Sequence, residues 1–227
     1  MHKKLIIWDF DGVIADSEHL WVQNWVRALK DIKNISLSPQ EQKYFLEGKA
    51  DKTKVKLFQE HNPELSFDDD FWTYLRSNEA VLIENELTIT AGVEELFADT
   101  RFEHCIATGA TLAKNNKKLH KLDLEKYFPQ SHIFTAYDVE NGKPAPDIFL
   151  YAACQMGYST ADSIVIEDSL AGINAAVAAG IKVIAYIGAT GNNRASYADE
   201  CRAAHADYIT NSMSEVKQIL ADFLHSC

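Results

Sequence analysis

Positive charge is scarce in this chain: 22 Lys and Arg stand against 33 Asp and Glu, a formal net charge of −11 with His neutral. Sequence-independent binding to nucleic acid needs a basic footprint, and attachment to anionic lipid needs a polybasic segment, so the balance argues against both. Long apolar runs are missing as well. No stretch approaches the roughly 20 apolar residues of a membrane span. The run Leu5-Ile6-Ile7-Trp8 behind Met1-His2-Lys3-Lys4 stops at Asp9, too short for the apolar region of a signal peptide. A cytoplasmic protein is the expectation. Cysteine is sparse: Cys105, Cys154, Cys201 and Cys227 lie far apart with no CxxC pair. That spacing argues against a disulfide framework and against a zinc site, and leaves mostly buried or inert free thiols. Repeats, low-complexity tracts and coiled-coil heptads are absent, and a monomer or weak dimer is expected.

What is present is an ordinary globular composition, 47% hydrophobic and 24% charged over 227 residues. The length suits one domain or a core with one insertion, and is enough to bury a core without staples. Residues 4–8 (KLIIW) form a short continuous apolar run, the pattern of a buried parallel strand. From about residue 17 to 86 no comparable run occurs, and the pattern reads as helices: Glu18 to Lys30, a segment opening at Ser38-Pro39, Lys52 to Glu60, and Phe71 to Ile83. Ser38, Pro39 and Glu41 have the spacing of a capping box with proline at the first helical position. Asp68-Asp69-Asp70 reads as a cap with first-turn acids, against the alternative of a metal site.

After residue 87 strands and helices alternate. Strands are expected at His104 to Thr108, Ile133 to Thr135, Ser163 to Glu167, Lys182 to Ile187 and Tyr208 to Thr210. Helices are expected at Thr111 to Leu122, Pro146 to Met156, Leu170 to Ala179 with Gly180 as the C′ glycine, and Ser214 to Leu224. The expected fold class is α/β: a Rossmann-like parallel sheet with helices on both faces, interrupted after its first strand by an all-helical insert. The boundaries read as residues 1–15 with 87–227 for the core and 16–86 for the insert. Ligands of open α/β sheets bind beyond the carboxyl ends of the strands.

The acids fall at those ends. Strand one runs into Asp9-Phe10-Asp11-Gly12, and residues two apart in an extended segment point the same way. Ser163 to Glu167 ends in a second pair, Glu167-Asp168. Gathering these carboxylates without compensation is costly, and a hard divalent cation such as Mg²⁺ resolves the cost. Helix capping by Asp168 is the competing explanation, and it leaves the other pair unaccounted for. Thr108-Gly109 before a helix suits a phosphate oxygen or a simple cap. Lys143 sits in Asn141-Gly142-Lys143-Pro144-Ala145-Pro146-Asp147, a loop stiffened by two prolines. Taken alone, Lys143 would be a surface lysine.

Together, Asp9-Phe10-Asp11-Gly12-Val13-Ile14-Ala15-Asp16-Ser17, Thr108-Gly109, Lys143-Pro144-Ala145-Pro146-Asp147 and Ile166-Glu167-Asp168-Ser169 resemble, in order, the four motifs of the haloacid dehalogenase superfamily. The nearest resemblance is to its helical-cap members, the β-phosphoglucomutases, phosphoglycolate phosphatases and related sugar-phosphate phosphatases. The resemblance implies Asp9 as the nucleophile that forms an aspartyl-phosphate, and Asp11 as the general acid and then base. It implies Mg²⁺ held by the Asp9 side chain, the Asp11 carbonyl, Asp168 and, directly or through water, Glu167. Thr108, Gly109 and Lys143 would hold phosphoryl oxygens, and Lys143 would also steady Asp9.

The mutases of that group carry a histidine at the position of Trp21 and an arginine at the position of Asp51, within Gly48-Lys49-Ala50-Asp51-Lys52. Their absence favours a phosphomonoester hydrolase acting on a small phosphorylated metabolite. A phosphosugar mutase and a phosphorylatable regulatory module with little turnover are the alternatives. Dehalogenation uses no second acid in the first motif, so Asp11 counts against it. Trp21 is a candidate substrate contact, against the alternative of packing within the helical segment.

Overall fold

The structure, a computed structural model, describes residues 3–47, 49, 51–189 and 196–225. From the N-terminus, β1 (Lys4–Trp8) and the short β2 (Ala15–Asp16) lead into four helices, α1 (Glu18–Lys33), α2 (Pro39–Phe45), α3 (Asp51–His61) and α4 (Asp69–Glu86). There follow β3 (Thr88–Ile89), α5 (Glu94–Phe97), β4 (Phe102–Thr108), α6 (Leu112–Lys121), β5 (Ile133–Thr135) and α7 (Asp147–Met156). The chain continues with β6 (Ser163–Glu167), α8 (Leu170–Ala178), β7 (Lys182–Tyr186), α9 (Tyr197–Ala203), β8 (Tyr208–Thr210) and α10 (Met213–His225). Two compact units result: Met1–Asp16 with Thr88–Cys227, and Ser17–Leu87. Among the described residues no helix is long and apolar enough to cross a membrane.

The first unit is built on a six-stranded sheet of order β5-β4-β1-β6-β7-β8, every pair of it parallel. β1 is central because its apolar run can be buried on both faces, and Leu5 to Trp8 are fully buried. Alternation sends Leu5 and Ile7 to one face, where they pack with Phe149 and Ala152 of α7 and Ile173 and Ala176 of α8. Trp8 meets Phe97 of α5 edge-on at 5.2 Å between ring centroids. The chain leaves β1 for β4 on one side and returns to its other side as β6. The carboxyl end of β1 is therefore the topological switch point of the sheet.

The second unit, Ser17–Leu87, has its own core. Trp25 of α1 lies among Phe58, Phe67, Phe71 and Trp72, at centroid distances of 5.2 to 6.4 Å. The Ser38–Glu41 capping box forms. Asp68 caps α4 by accepting from the Phe71 N–H at 3.1 Å, with Asp69 and Asp70 as first-turn acids.

Several boundaries differ from the sequence expectation. α1 runs on to Lys33 and closes on Asn34 in the left-handed conformation, a residue type that tolerates that geometry. β4 begins two residues earlier, at Phe102, and β7 ends at Tyr186. The antiparallel pair β2–β3, with two residues in each strand, was not expected. Nor were α5 and α9, of four and seven residues. Elements so short carry too few residues for a periodic signal. Gly48, Ala50 and Cys227, named above, lie outside the described residues. Cys105 is a buried free thiol, Cys154 an exposed one, and Cys201 is buried.

Next to Trp8, β4 buries His104, whose Nδ1 accepts from Trp8 Nε1 at 3.2 Å. Burial lowers its pKa from 6.5 to about 4. The folded ring stays neutral where the unfolded chain takes up a proton, so stability is lost as pH falls from 6.5 towards 4. A shift of this size corresponds to about 3 kcal/mol. Denaturant titrations at pH 7 and pH 4.5 are expected to show a smaller acid loss for His104→Gln than for wild type. Equal losses would remove His104 as the cause.

Candidate active site

Asp9 follows directly on β1, and its N–H still bonds the Ile166 carbonyl at 2.9 Å. The backbone pairing with β6 thus places Asp9 beside Glu167, the last residue of β6, and Asp168. All three are buried. One carboxylate oxygen from each lies within 4.8 Å of the others, so this set could hold a metal ion.

Charge compensation comes from a loop far along the chain. Lys143 Nζ donates to Asp9 Oδ1 at 2.5 Å, to Glu167 Oε1 at 2.6 Å and to the Ala107 carbonyl at 3.1 Å. The loop is fixed by Asp147 Oδ1, which accepts from the side-chain amide of Asn141 at 3.1 Å and its backbone N–H at 3.3 Å. Lys143 is therefore not the surface lysine that its local sequence suggests. Burial pushes the Asp9 carboxyl up from its ordinary pKa, Lys143 pulls against that, and the charges of Glu167 and Asp11 add to the rise. Burial works to lower the Lys143 ammonium, but Asp9 and Glu167 outweigh it and hold it above the usual lysine value.

Two glycines vacate the space these acids need. Gly12 has φ +82, and a Cβ there would stand 2.0 Å from Asp168 Oδ2. A Cβ on Gly172 of α8 would stand 1.8 Å from Glu167 Oε1. The second Glu167 oxygen accepts from the Ser169 N–H at 2.6 Å. Ser169, not Asp168, caps α8, through the Gly172 N–H at 3.1 Å. That removes capping as the reason for Asp168. The Tyr197 hydroxyl donates to the Asp168 carbonyl.

The Asp11 carboxylate is not part of the metal-competent trio. Its oxygens accept from Lys118 Nζ of α6 at 2.7 and 2.5 Å. Thr108, the buried last residue of β4, accepts at Oγ1 from the Ala110 N–H at 3.2 Å. α6 begins only at Leu112, with Thr111 as its cap, so the helix start is displaced from Thr108-Gly109. Gly109 is exposed and a Cβ there would meet nothing within 4 Å. Trp21, partly buried on α1, belongs to the helical unit and not to the unit that carries the acids. Asp51 is engaged locally: its Oδ1 accepts from Trp25 Nε1 at 2.9 Å and Lys54 Nζ at 3.1 Å.

Sequence reasoning missed Lys118, Gly172 and Tyr197. In the structure Lys118 shares the buried face of α6 with Asn115 and Leu119. Nothing in the lysine-rich run of α6 distinguishes Lys118 by composition.

The family described as haloacid dehalogenase-like hydrolase matches residues 6–186. The chain is 27% identical to the 6-phosphogluconate phosphatase of Escherichia coli K12 over 185 residues, 78% of this chain and 80% of that one. It is 29% identical to hexitol phosphatase A of the same organism over 224 residues, 95% and 94% of the two chains. A crystal structure of a conserved haloacid dehalogenase-like protein from Agrobacterium tumefaciens superimposes with a TM-score of 0.85 at 28% identity. It covers 98% of this chain and 99% of that one.

Removing the ammonium tests the electrostatics without any substrate. In metal-free buffer Lys143→Met is expected to lose about 3 kcal/mol or more at pH 8, because buried carboxylates are left unpaired. A carboxyl whose folded pKa is raised stabilises the fold at low pH and loses that contribution as pH rises. The deficit of Lys143→Met should therefore shrink towards pH 5. A pH-independent deficit in thermal melts would contradict the pairing.

Proposed function

The chain belongs to the haloacid dehalogenase-like hydrolases, and on that premise we propose that it is a phosphatase of a small phosphorylated carbohydrate or sugar acid, working through an aspartyl-phosphate. The observation that carries this reading is the buried cluster of Asp9, Glu167 and Asp168 at the switch point of the sheet, with Lys143 paired to the first two. The likeness to a 6-phosphogluconate phosphatase and a hexitol phosphatase supports the substrate class.

The residues fit a magnesium ion: the carboxylates of Asp9, Glu167 and Asp168 and the carbonyl of Asp11 offer oxygen donors, the hard ligands that Mg²⁺ prefers. Asp9, the Asp11 carbonyl and Asp168 would hold it. Glu167, with one oxygen on Lys143 and the other on the Ser169 N–H, suits a contact through water. When bound, the ion offsets repulsion between the anionic nucleophile and the anionic phosphate.

Asp9 attacks phosphorus as the bond to the leaving alcohol oxygen breaks, and Asp11 delivers a proton to that oxygen. Asp11 then takes a proton from water, the water oxygen attacks the phosphoaspartate, and inorganic phosphate leaves with Asp9 regenerated. Lys143, Thr108 and the Gly109 N–H hold phosphoryl oxygens as charge moves among them. Trp21 is the candidate contact for the carbon skeleton. Hydrolysis is favoured over phosphosugar mutation because Asp51, where the mutases carry arginine, is occupied with Trp25 and Lys54.

With p-nitrophenyl phosphate, 6-phosphogluconate and glucitol 6-phosphate as substrates, wild type is expected to release phosphate only with Mg²⁺. Asp9→Asn should fold normally and lose at least about 1,000-fold in kcat, as expected when a covalent nucleophile is removed. Equal turnover by the two proteins would refute the assignment. Glucose 1-phosphate converted to glucose 6-phosphate faster than phosphate is released would instead establish the mutase.

Gly172→Ala tests Glu167. Alanine favours the helix by about 1 kcal/mol, but its Cβ collides with the carboxylate. The expected result is weaker Mg²⁺ binding by calorimetry, by at least about tenfold if Glu167 orients the site. Unchanged affinity would exclude Glu167 from metal binding.

A further inference from the structure

Lys118 is fully buried, yet it ends in a charge. Asn115 and Leu119 flank it on the buried face of α6, and its ammonium lies 5.2 Å from the ring centroid of Phe10. From there it donates to both oxygens of Asp11, at 2.7 and 2.5 Å. The carboxylate it holds is 28% exposed, whereas the Lys118 side chain is 0% exposed. The anchored partner is therefore the lysine, and the partner open to solvent is the acid.

Asp11 lies outside β1, on the turn that Gly12 opens with its positive φ. The backbone of Asp11 bridges to Ala15, which leaves the two torsions of its short side chain to be set by side-chain contacts. Two bonds to a cation fixed by a helix remove that freedom. Proton transfer requires the carboxylate within hydrogen-bond reach of the oxygen it serves, and a misplacement of about 1 Å can cost on the order of 100-fold in rate. The same helix reaches the loop after β4, where Asn115 Nδ2 donates to the Ala110 carbonyl at 3.3 Å. α6 thus ties the position of Asp11 to that of the Thr108–Ala110 loop.

We infer that Lys118 is a positioning residue for the acid–base step: it aims Asp11 at the phosphoryl group, while Lys143 serves Asp9 separately. This rests on the reading of Asp11 as the proton donor and acceptor.

A double-mutant cycle on Lys118→Met and Asp11→Asn tests it, using whichever of p-nitrophenyl phosphate, 6-phosphogluconate and glucitol 6-phosphate wild type hydrolyses fastest. Lys118→Met is expected to lower kcat by roughly 10- to 100-fold with KM within about threefold. In the Asp11→Asn background the same substitution should change kcat by less than about twofold, since residues acting through one another are not additive. If Lys118→Met accumulates poorly, Lys118→Gln enters the cycle with the same criteria. Additive losses, or a single mutant with wild-type kcat, overturn the inference while leaving the phosphatase reading intact. Wild type inactive on all three substrates overturns both.

Discussion

Everything at the carboxyl edge of the sheet depends on one ammonium group shared between two buried carboxylates. Asp9 and Glu167 end neighbouring strands, so the parallel pairing of β1 with β6 forces their charges together. Without Lys143 between them the arrangement would work against folding, since burial and mutual repulsion both disfavour the charged forms. The Asn141–Asp147 tie keeps the lysine loop in place, and the Ala107 carbonyl takes its third bond. The charges at this edge are thus paired by bonds within the protein itself.

Space is the second constraint. Carboxylates that approach so closely need backbone without side chains beside them. Gly12 and Gly172 supply it from two different elements, a turn and a helix. Gly172 has an ordinary helical role as well, since its N–H bonds the Ser169 cap. The first turn of α8 and the Glu167 carboxylate are thereby built around each other. Polar groups in this unit recruit cations by region: Lys143 from a loop for the strand-end acids, and Lys118 from a helix for Asp11.

The parallel sheet was legible because its strands are continuous apolar runs: Ile133–Thr135, Ser163–Glu167 and Tyr208–Thr210 stand where the periodicity puts them. The caps at Ser38 and Asp68 were legible because they are local chemistry with fixed offsets. The pair β2–β3 was not, for two residues per strand leave no alternation to read. The acids of the site were legible by position, at the ends of two apolar runs. The partner of Asp11 was not, because 107 residues separate it from Lys118 in sequence.

The amino-acid sequence by itself determined the order of the longer helices and of the strands of the parallel sheet, the helical interruption and the acids at two strand ends, since each follows from short-range periodicity and turn chemistry. Only the tertiary structure decided which of many lysines meets which carboxylate. It also decided that Gly12 leaves room for Asp168, far along the chain. Those outcomes depend on contacts between residues remote in the chain. Local patterns carry no information about them until the sheet closes and brings the strand ends, the loop of Lys143 and the face of α6 to one place.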